Sequence, residues 1–513
     1  AGLEKWGFVA TVKKLIGMFA IAAYHIPSKQ LFIARDSVGI KPFFYNSNPE
    51  NFWFASQFNQ IIKGVGKKNI KLTACGMRDF LQFGYMQAPN TIYENIKQLE
   101  PGQMAIIDGK SIELKDFKKY PADVALSGLN DESDEALSQF DTLFSKVCHD
   151  QLKADVPIGT FLSSGIDSTL VNAYSKNDKE DLTSYTIGVN QSKSDERNVA
   201  SKYAAHLNIN HVSLSVEKEE LLESLDDHFI KLGEPFADFS SIPTYLVCRK
   251  ARENNTVMLS GDGGDEIFWG YHRMFNATFN FPFFNNSLYI RRLKKKLKFF
   301  KKPANGSIYE FDLPNEMVEN AHSHIPLGLI KQLLPNINKT METEDLYKFN
   351  ERGQKSFRNW VRYNEFYAHM QRVLIKVDRM SMANSLEVRV PLLDQRIVEF
   401  AWKLNTDFGL NKKKNLKKFL KKALSQFIPI DLMNQKKLGF YVPIGEWLKT
   451  SLKEEVIDLL LNRPIYGEEF IDKNVWNKIV NEFYNKEDSS NEWSIWIMYC
   501  WQKWHSQHLK SII

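Results

Sequence analysis

Cysteine is scarce in this chain: Cys75, Cys148, Cys248 and Cys500 are the four in 513 residues, and each stands alone. Without a Cys-x-x-Cys or Cys/His spacing, neither a disulfide framework nor a structural zinc site is expected, and the usage fits a reducing, cytoplasmic compartment. Long apolar runs are missing as well. None approaches the roughly 20 residues that span a bilayer, and the first residues carry no basic–apolar–small leader pattern. Charge of one sign is not in excess either: the net charge is +6, which tolerates anionic ligands without marking a nucleic-acid binder. There is no internal repeat and no low-complexity tract. What is present is 43% hydrophobic and 25% charged, a globular composition, on a chain long enough for two or more domains and a large core.

One stretch organises the rest. The apolar run from Val156 to Leu162 predicts a buried parallel strand, and Thr169 to Tyr174 predicts a short helix. Between them lie Ser163-Ser164-Gly165-Ile166-Asp167-Ser168. A strand, a small-residue turn and a helix N-terminus present backbone N–H groups and a positive dipole end to an anion. Three hydroxyls, at 163, 164 and 168, add donors. Asp167 would repel a phosphate, so its role is to hold Mg²⁺ against phosphate oxygens. By themselves these residues equally suit an ordinary turn with a Ser cap. A second acidic, glycine-rich turn, Ser260-Gly261-Asp262-Gly263-Gly264-Asp265-Glu266, follows another apolar run, Thr256 to Leu259. Two such turns would put carboxylates on one rim of a parallel sheet, where open α/β sheets bind ligands. Other nucleotide signatures fail: Met104 stands where Gly109-Lys110-Ser111 would need a preceding glycine, and Glu266 replaces the third glycine after Gly261-x-Gly263.

The first turn resembles the Ser-Gly-Gly-x-Asp-Ser pyrophosphate loop of N-type ATP pyrophosphatases. Ser260 to Glu266 with Phe268-Trp269-Gly270-Tyr271 is similar to the second signature of glutamine-hydrolysing asparagine synthetases. Val377-Asp378-Arg379-Met380-Ser381-Met382-Ala383 through Leu386 to Asp394 resembles the same family, as does Lys436-Lys437-Leu438-Gly439-Phe440 with Val442 to Leu448. The resemblance implies an incomplete α+β glutaminase domain of the N-terminal-nucleophile type over residues 1–120. A linker over 121–132 and a parallel-sheet α/β ATP-pyrophosphatase domain with a helical C-terminal part over 133–513 complete the expected division.

Within the first unit, Gly17–Tyr24, Gln30–Arg35, Phe43–Tyr45 and Phe52–Ala55 are expected strands, and the stretch from Gly84 to Pro121 an exit and linker. The family's nucleophile is an N-terminal cysteine whose α-amino group is the base. Ala1-Gly2-Leu3-Glu4-Lys5-Trp6 instead resembles a helix inside that domain. Glutamine hydrolysis is therefore not assigned, and a fragment is expected rather than a truncated remnant, since the strands would otherwise leave a half-built core. In the second unit a helix at 133–153 is followed by strands near 156–162, 183–189, 210–214 and 256–260. Helices near 168–176, 195–207, 217–231 and 241–253 alternate with them, which predicts a parallel sheet covered on both faces. Beyond 280 the pattern is helical. The basic runs Arg291–Lys298 and Lys412–Lys414 read as solvated faces, and Trp493, Trp496, Ile497, Cys500, Trp501 and Trp504 as core.

The chemistry the resemblance implies is cleavage of ATP between its α and β phosphates. An aspartate side-chain carboxylate attacks the α-phosphorus, pyrophosphate leaves, and ammonia, normally from glutamine, then displaces AMP to give asparagine. Leu162, Ser163, Ser164, Gly165, Ile166, Asp167, Ser168, Ile187, Ser260 and Gly261 carry over as the ATP and pyrophosphate site. Within it, N–H groups of Ser164, Gly165 and Ile166 and the hydroxyls of Ser163 and Ser168 stabilise the leaving pyrophosphate. Asp167 and Asp265 carry over as Mg²⁺ ligands, and Asp262 and Lys436 as catalytic residues. Asp378, Arg379, Glu387 and Arg389 read as an ion-pair network bracketing the site. Ser164 replaces a glycine of the family pattern, a cost of about 1 kcal/mol if its φ is positive. The implied partners are ATP, aspartate and ammonia or glutamine, with no nucleic acid, no membrane and room for a homodimer. A related adenylating enzyme with another carboxylate acceptor is the alternative, though Asp262 stands where the β-lactam branch has tyrosine; a non-catalytic relict would not be expected to keep Asp167, Asp265 and Lys436.

Overall fold

The computed structural model describes residues 1–122, 128–190, 195–287, 289–291, 308, 311–350, 353–405, 416–433, 442–485 and 491–511. Lys436 and its motif to Phe440, the run Lys412–Lys414 and residues 292–298 lie outside the described residues.

The first strands are β1 (Ala20–His25), β2 (Gln30–Arg35), β3 (Phe44–Asn46) and β4 (Phe54–Ala55), followed by β5 (Ile96–Gln98), β6 (Gln103–Ile107) and β7 (Ile112–Asp116). They form two antiparallel sheets, in the orders β1-β2-β6-β7 and β4-β3-β5. Ile33, Phe43, Tyr45, Leu99, Ala105 and Ile107 pack into one cluster. The stretch from Gly84 to Pro121 is thus no mere exit: it supplies β5, β6 and β7. Strand β6 lies between two neighbours and is buried on both faces, so it lacks the alternation that marks a half-exposed strand. Pro101-Gly102, which reads as linker punctuation, is the turn into it, with Gly102 at φ +71°.

After β8 (Leu129–Asn130), the helix Asp134–Gln151 is capped by Ser133, whose hydroxyl accepts from the Ala136 N–H at 3.1 Å. Phe140, Phe144 and Val147 recur on one face and are fully buried. The central sheet comprises β9 (Ile158–Phe161), β10 (Thr183–Val189), β11 (Asn210–Val216), β12 (Val257–Leu259) and β13 (Glu387–Arg389). All its pairings are parallel, in the order β11-β10-β9-β12-β13. The chain leaves β9 to build one side, then returns to build the other, so the order reverses at β9. The fifth strand, β13, falls where a helical pattern is expected. It is three residues long at the sheet edge and buries only Val388, too little for a periodic signal. The single helix expected at 217–231 is two, Lys218–Glu223 and Leu225–Leu232, divided at Ser224.

The last helix, Glu492–Ser511, buries Trp496, Ile497, Cys500, Trp501 and Trp504 as core, and Trp501 packs on Phe80 at 5.3 Å between centroids. Asp378 and Arg379 tie the two parts of the chain together. Lys41 pairs with Asp378 at 3.2 Å, while Arg379 bonds Glu234 at 2.7 Å and donates to the Ser56 carbonyl at 3.0 Å. Glu387 and Arg389 pair with each other at the sheet edge at 2.6 Å. The four residues therefore form two separate groups, not one network. No described helix is long and apolar enough to cross a membrane.

Candidate active site

Strand β9 ends in the first turn at the point where the sheet order reverses, and the helix Ile166–Asp178 starts there with Gly165 as its N-cap. Asn172 locks this junction: its amide donates to the carbonyls of Phe161 and Ser168, and its oxygen accepts from Thr160 at 2.6 Å. Ser163 and Ser168 hydroxyls lie 2.7 Å apart, and the Gly165 N–H donates to Ser163 Oγ at 3.1 Å. Ser164 departs from the expected role. Its N–H and its hydroxyl both donate to Glu196 Oε2, each at 3.0 Å, so it braces the loop from behind. Its φ is not positive, which removes the conformational cost foreseen for a non-glycine residue.

Strand β12 delivers the second turn against the first. A Cβ on Gly261 would stand 2.7 Å from the Asp167 carbonyl carbon, and one on Gly264 would stand 2.6 Å from the Asp167 carboxyl carbon. Only glycine allows that approach. The Lys417 ammonium contacts Asp167 Oδ2 and also Asp265 Oδ1, the latter at 2.6 Å. Asp262 accepts from the Ser260 hydroxyl and faces Lys376 Nζ at 3.7 Å.

A cavity of 470 Å³ opens over both turns. Its apolar side, at the strand ends, includes Phe161, Tyr185, Ile187 and Val388; its polar side includes Ser163, Gly165, Asp167, Ser168, Asp262 and Asp265. Leu162, Ser260 and Gly261 also line it, whereas Ser164 and Ile166 do not. The far wall comes from the helix Met370–Met382 and its N-cap His369, where His369, Arg372, Val373, Lys376 and Val377 face the cavity at three- and four-residue spacing. Asp238 and Ser240 line it beside that wall, with Asp238 Oδ2 3.4 Å from Arg372 Nε.

A family model described as asparagine synthase matches residues 139–506, and one described as a glutamine amidotransferase domain matches residues 1–120. The chain belongs to the asparagine synthase family. It is 29% identical over 514 residues to asparagine synthetase [glutamine-hydrolyzing] 1 of Bacillus subtilis, covering 97% of this chain and 78% of the relative. Asparagine synthetase [glutamine-hydrolyzing] 3 of the same organism is 26% identical, with 88% and 73% covered. The chicken (Gallus gallus) asparagine synthetase is 23% identical, with 90% and 70% covered.

Seen as a member of the asparagine synthase family, the site also contains residues that motif reading missed. Lys417 lies three residues beyond the basic run Lys412–Lys414 and in no motif, yet its side chain is only 6% exposed and its ammonium contacts two carboxylates 152 and 250 positions earlier in the chain. Glu196, Asp238 and Ser240 are isolated polar residues with no motif around them. Arg372 and Lys376 had a usable signal, the repeat of His369, Arg372 and Lys376 along one helix face. The donor set fits Mg²⁺. Two carboxylates converge where a cationic side chain already lies, and Mg²⁺ takes one or two carboxylates and completes its shell from phosphates and water. Among the described residues no group of three or more His, Cys, Asp or Glu side chains could hold a metal ion.

Burial sets the charges nearby. The Asp238 carboxyl would be raised by burial, but Arg372 and Lys376 outweigh it and hold it below its ordinary value. Glu365 is likewise opposed by burial and brought to about 2 by Arg273 and His322. Burial, then the charges of Arg273 and Arg372, keep His369 neutral, its pKa well below the ordinary value.

Proposed function

We propose that the chain catalyses ATP-dependent amide formation, activating the side-chain carboxylate of aspartate as aspartyl-AMP and passing it to ammonia to give asparagine. The observation that carries this reading is the meeting of two glycine-rich turns at the switch point, close enough for one ammonium to touch both Asp167 and Asp265. Ser163, Gly165 and Ser168, at the head of the helix Ile166–Asp178, form the pocket for the departing pyrophosphate, where the helix dipole and hydroxyls meet developing charge. Asp167 and Asp265 hold Mg²⁺, which when bound neutralises the phosphate oxygens. Ile187 and Gly261 flank the base at the apolar strand ends. Asp262, held by Ser260 and paired with Lys376, sits where it can orient the incoming amine and take its proton. Lys436 has the family's role of countering charge at the α-phosphate.

The division into a glutaminase-type unit over 1–120, a linker over 121–132 and a synthetase unit over 133–513 belongs to the same proposal, as does a cytoplasmic setting. Cys75 is the one cysteine of the first unit. Burial and Asp79 raise its pKa, so it is not an activated thiol, and no glutaminase nucleophile is assigned to it.

The test is product analysis with ATP, Mg²⁺ and aspartate, with ammonium or glutamine as nitrogen source. AMP, pyrophosphate and asparagine in equal amounts with ammonium are expected. Formation of ADP and phosphate, or of AMP without amide, contradicts the proposal.

A further inference from the structure

The helix Met370–Met382 has two working faces. One forms the far wall of the cavity, and the other is held by the first 120 residues. Gln371 and Asp378 stand seven residues, about two turns, apart on the face away from the cavity. Both meet the loop over residues 36–41, between β2 and β3. Gln371 Nε2 donates to the Val38 carbonyl at 3.2 Å, and the Lys41 ammonium pairs with Asp378 Oδ1 at 3.2 Å. Gly39 makes the approach possible: its φ is +78°, and a Cβ there would stand 3.0 Å from Gln371 Oε1. The loop itself is braced from within. Asp36 Oδ1 accepts from the N–H groups of Val38, Gly39 and Ile40 at 3.2, 2.7 and 2.9 Å, and Oδ2 from that of Lys41 at 2.9 Å. The Arg35 guanidinium donates to the carbonyls of Gly39 and Lys41 at 2.6 and 2.7 Å. A buried network satisfied to this degree is rigid, so a displacement of the loop is passed to the helix rather than absorbed. Further contacts of the same kind lie beside the helix. The Gly84 carbonyl accepts from the Ala237 N–H and the Gln82 carbonyl from the His324 N–H, each at 2.8 Å. Ala237 precedes Asp238, and the His324 ring meets Arg372; Asp238 and Arg372 both line the cavity.

We infer that the loop over residues 36–41, acting through Gln371 and Asp378, positions the far wall of the cavity, so that the first 120 residues set the rate of the amide-forming centre by contact, apart from any supply of nitrogen. Gln371 and Asp378 are positioning residues: neither lines the cavity, and each acts through Arg372 and Lys376 on the opposite face. Lys376 Nζ lies 3.7 Å from Asp262 Oδ1, and a shift of the helix by about 1 Å alters that spacing directly. The rate named here rests on the adenylating reading above; the hold on the helix does not.

The experiment compares the full chain with its Lys41→Met, Lys41→Arg and Gln371→Leu variants. Steady-state rates with ATP, Mg²⁺, aspartate and saturating ammonium bypass any nitrogen supplied by the first 120 residues. Amide hydrogen exchange without substrates, read by mass spectrometry, follows the helix Met370–Met382 against the helix Ile166–Asp178. Lys41→Met should lower kcat by about tenfold to a hundredfold with KM for ATP little altered, and should speed exchange in the helix Met370–Met382 alone. Lys41→Arg should restore most of both, because it keeps a cation beside the buried Asp378, and Gln371→Leu should repeat the loss. An unaltered kcat in both Lys41→Met and Gln371→Leu overturns the inference. So does exchange that rises equally in the two helices with no recovery in Lys41→Arg, which marks general destabilisation. Exchange that changes as expected in a chain that forms no AMP overturns the adenylating reading while the positioning stands. Should Lys41→Met fail to fold, Gln371→Leu decides by the same two readings.

Discussion

At the scale of single residues, the site depends on two glycines and one lysine. Gly261 needs no unusual φ; its value is that no Cβ stands between the second turn and the Asp167–Ser168 backbone. Gly261→Ala should leave the circular dichroism spectrum intact and lower kcat/KM for ATP by about a hundredfold, because a shift of about 1 Å in positioned groups costs that much. Lys417 neutralises two carboxylates that would otherwise repel, so Lys417→Met should be less stable by about 3 kcal/mol in the presence of a chelator. Added Mg²⁺ should restore part of that stability, as thermal unfolding with and without the ion will show. An unchanged melting temperature in chelator would mean that the pair does not need the lysine. Asp167, Asp265 and the loop serines were legible because small polar residues interrupt two apolar runs. Lys417 was not: its partners lie 152 and 250 positions away, and in sequence a buried lysine looks like the half-buried Lys418, Lys421 and Lys422 beside it.

At the scale of elements, strands β9 and β12 end in the two turns, and a helix forms the far wall of the cavity. Trp496, on the last helix, donates its indole N–H to the Ala237 carbonyl at 2.8 Å, and Trp493 packs on Phe239 at 5.0 Å. Asp238 lies between those two anchors. Trp496→Phe keeps most of the packing but leaves a buried carbonyl unpaired, a cost of about 1–3 kcal/mol. A rise in KM for the acceptor, with KM for ATP little altered, is the expected kinetic result. Equal rises in both would show that the helix supports the whole sheet rather than this loop. Trp496, Trp501 and Trp504 were legible as core from their helical spacing, whereas Trp493, expected with them, is exposed; the hold on residue 238 was not legible, since it joins segments 259 residues apart. Strands β5, β6 and β13 escaped sequence reading because strands that are very short or buried along their length show no clear period of two, and β7 because only Ile112 of its five residues is even half-buried.

At the scale of the whole molecule, Arg379 joins the N-terminal sheets to the synthetase sheet through Ser56 and Glu234. Its side chain is 2% exposed and that of Glu234 9%. Arg379→Ala leaves a buried carboxylate unpaired and should cost about 3–5 kcal/mol, measured by denaturant unfolding. Stability should also fall on acidification. Burial lowers the His228 pKa from 6.5 to about 3, so the folded state binds fewer protons than the unfolded state in that window and loses stability as pH falls through it. Glu365, at about 2 against an ordinary 4.5, adds a loss of the same sign at lower pH; Asp79, raised to about 6, works the opposite way between 3.8 and 6. His228→Gln should flatten the upper part of the acid limb in melting temperature against pH, and an unchanged limb would assign it to other groups.

The central claim is that the acceptor carboxylate attacks the α-phosphorus of ATP at the meeting of the two turns. Aspartate labelled with ¹⁸O in its side-chain carboxylate tests it directly. The carboxylate oxygen that bonds to phosphorus leaves with the nucleotide when ammonia displaces it, so AMP should carry one labelled oxygen for each asparagine formed. Label in inorganic phosphate or pyrophosphate, or unlabelled AMP formed alongside asparagine, would contradict the account.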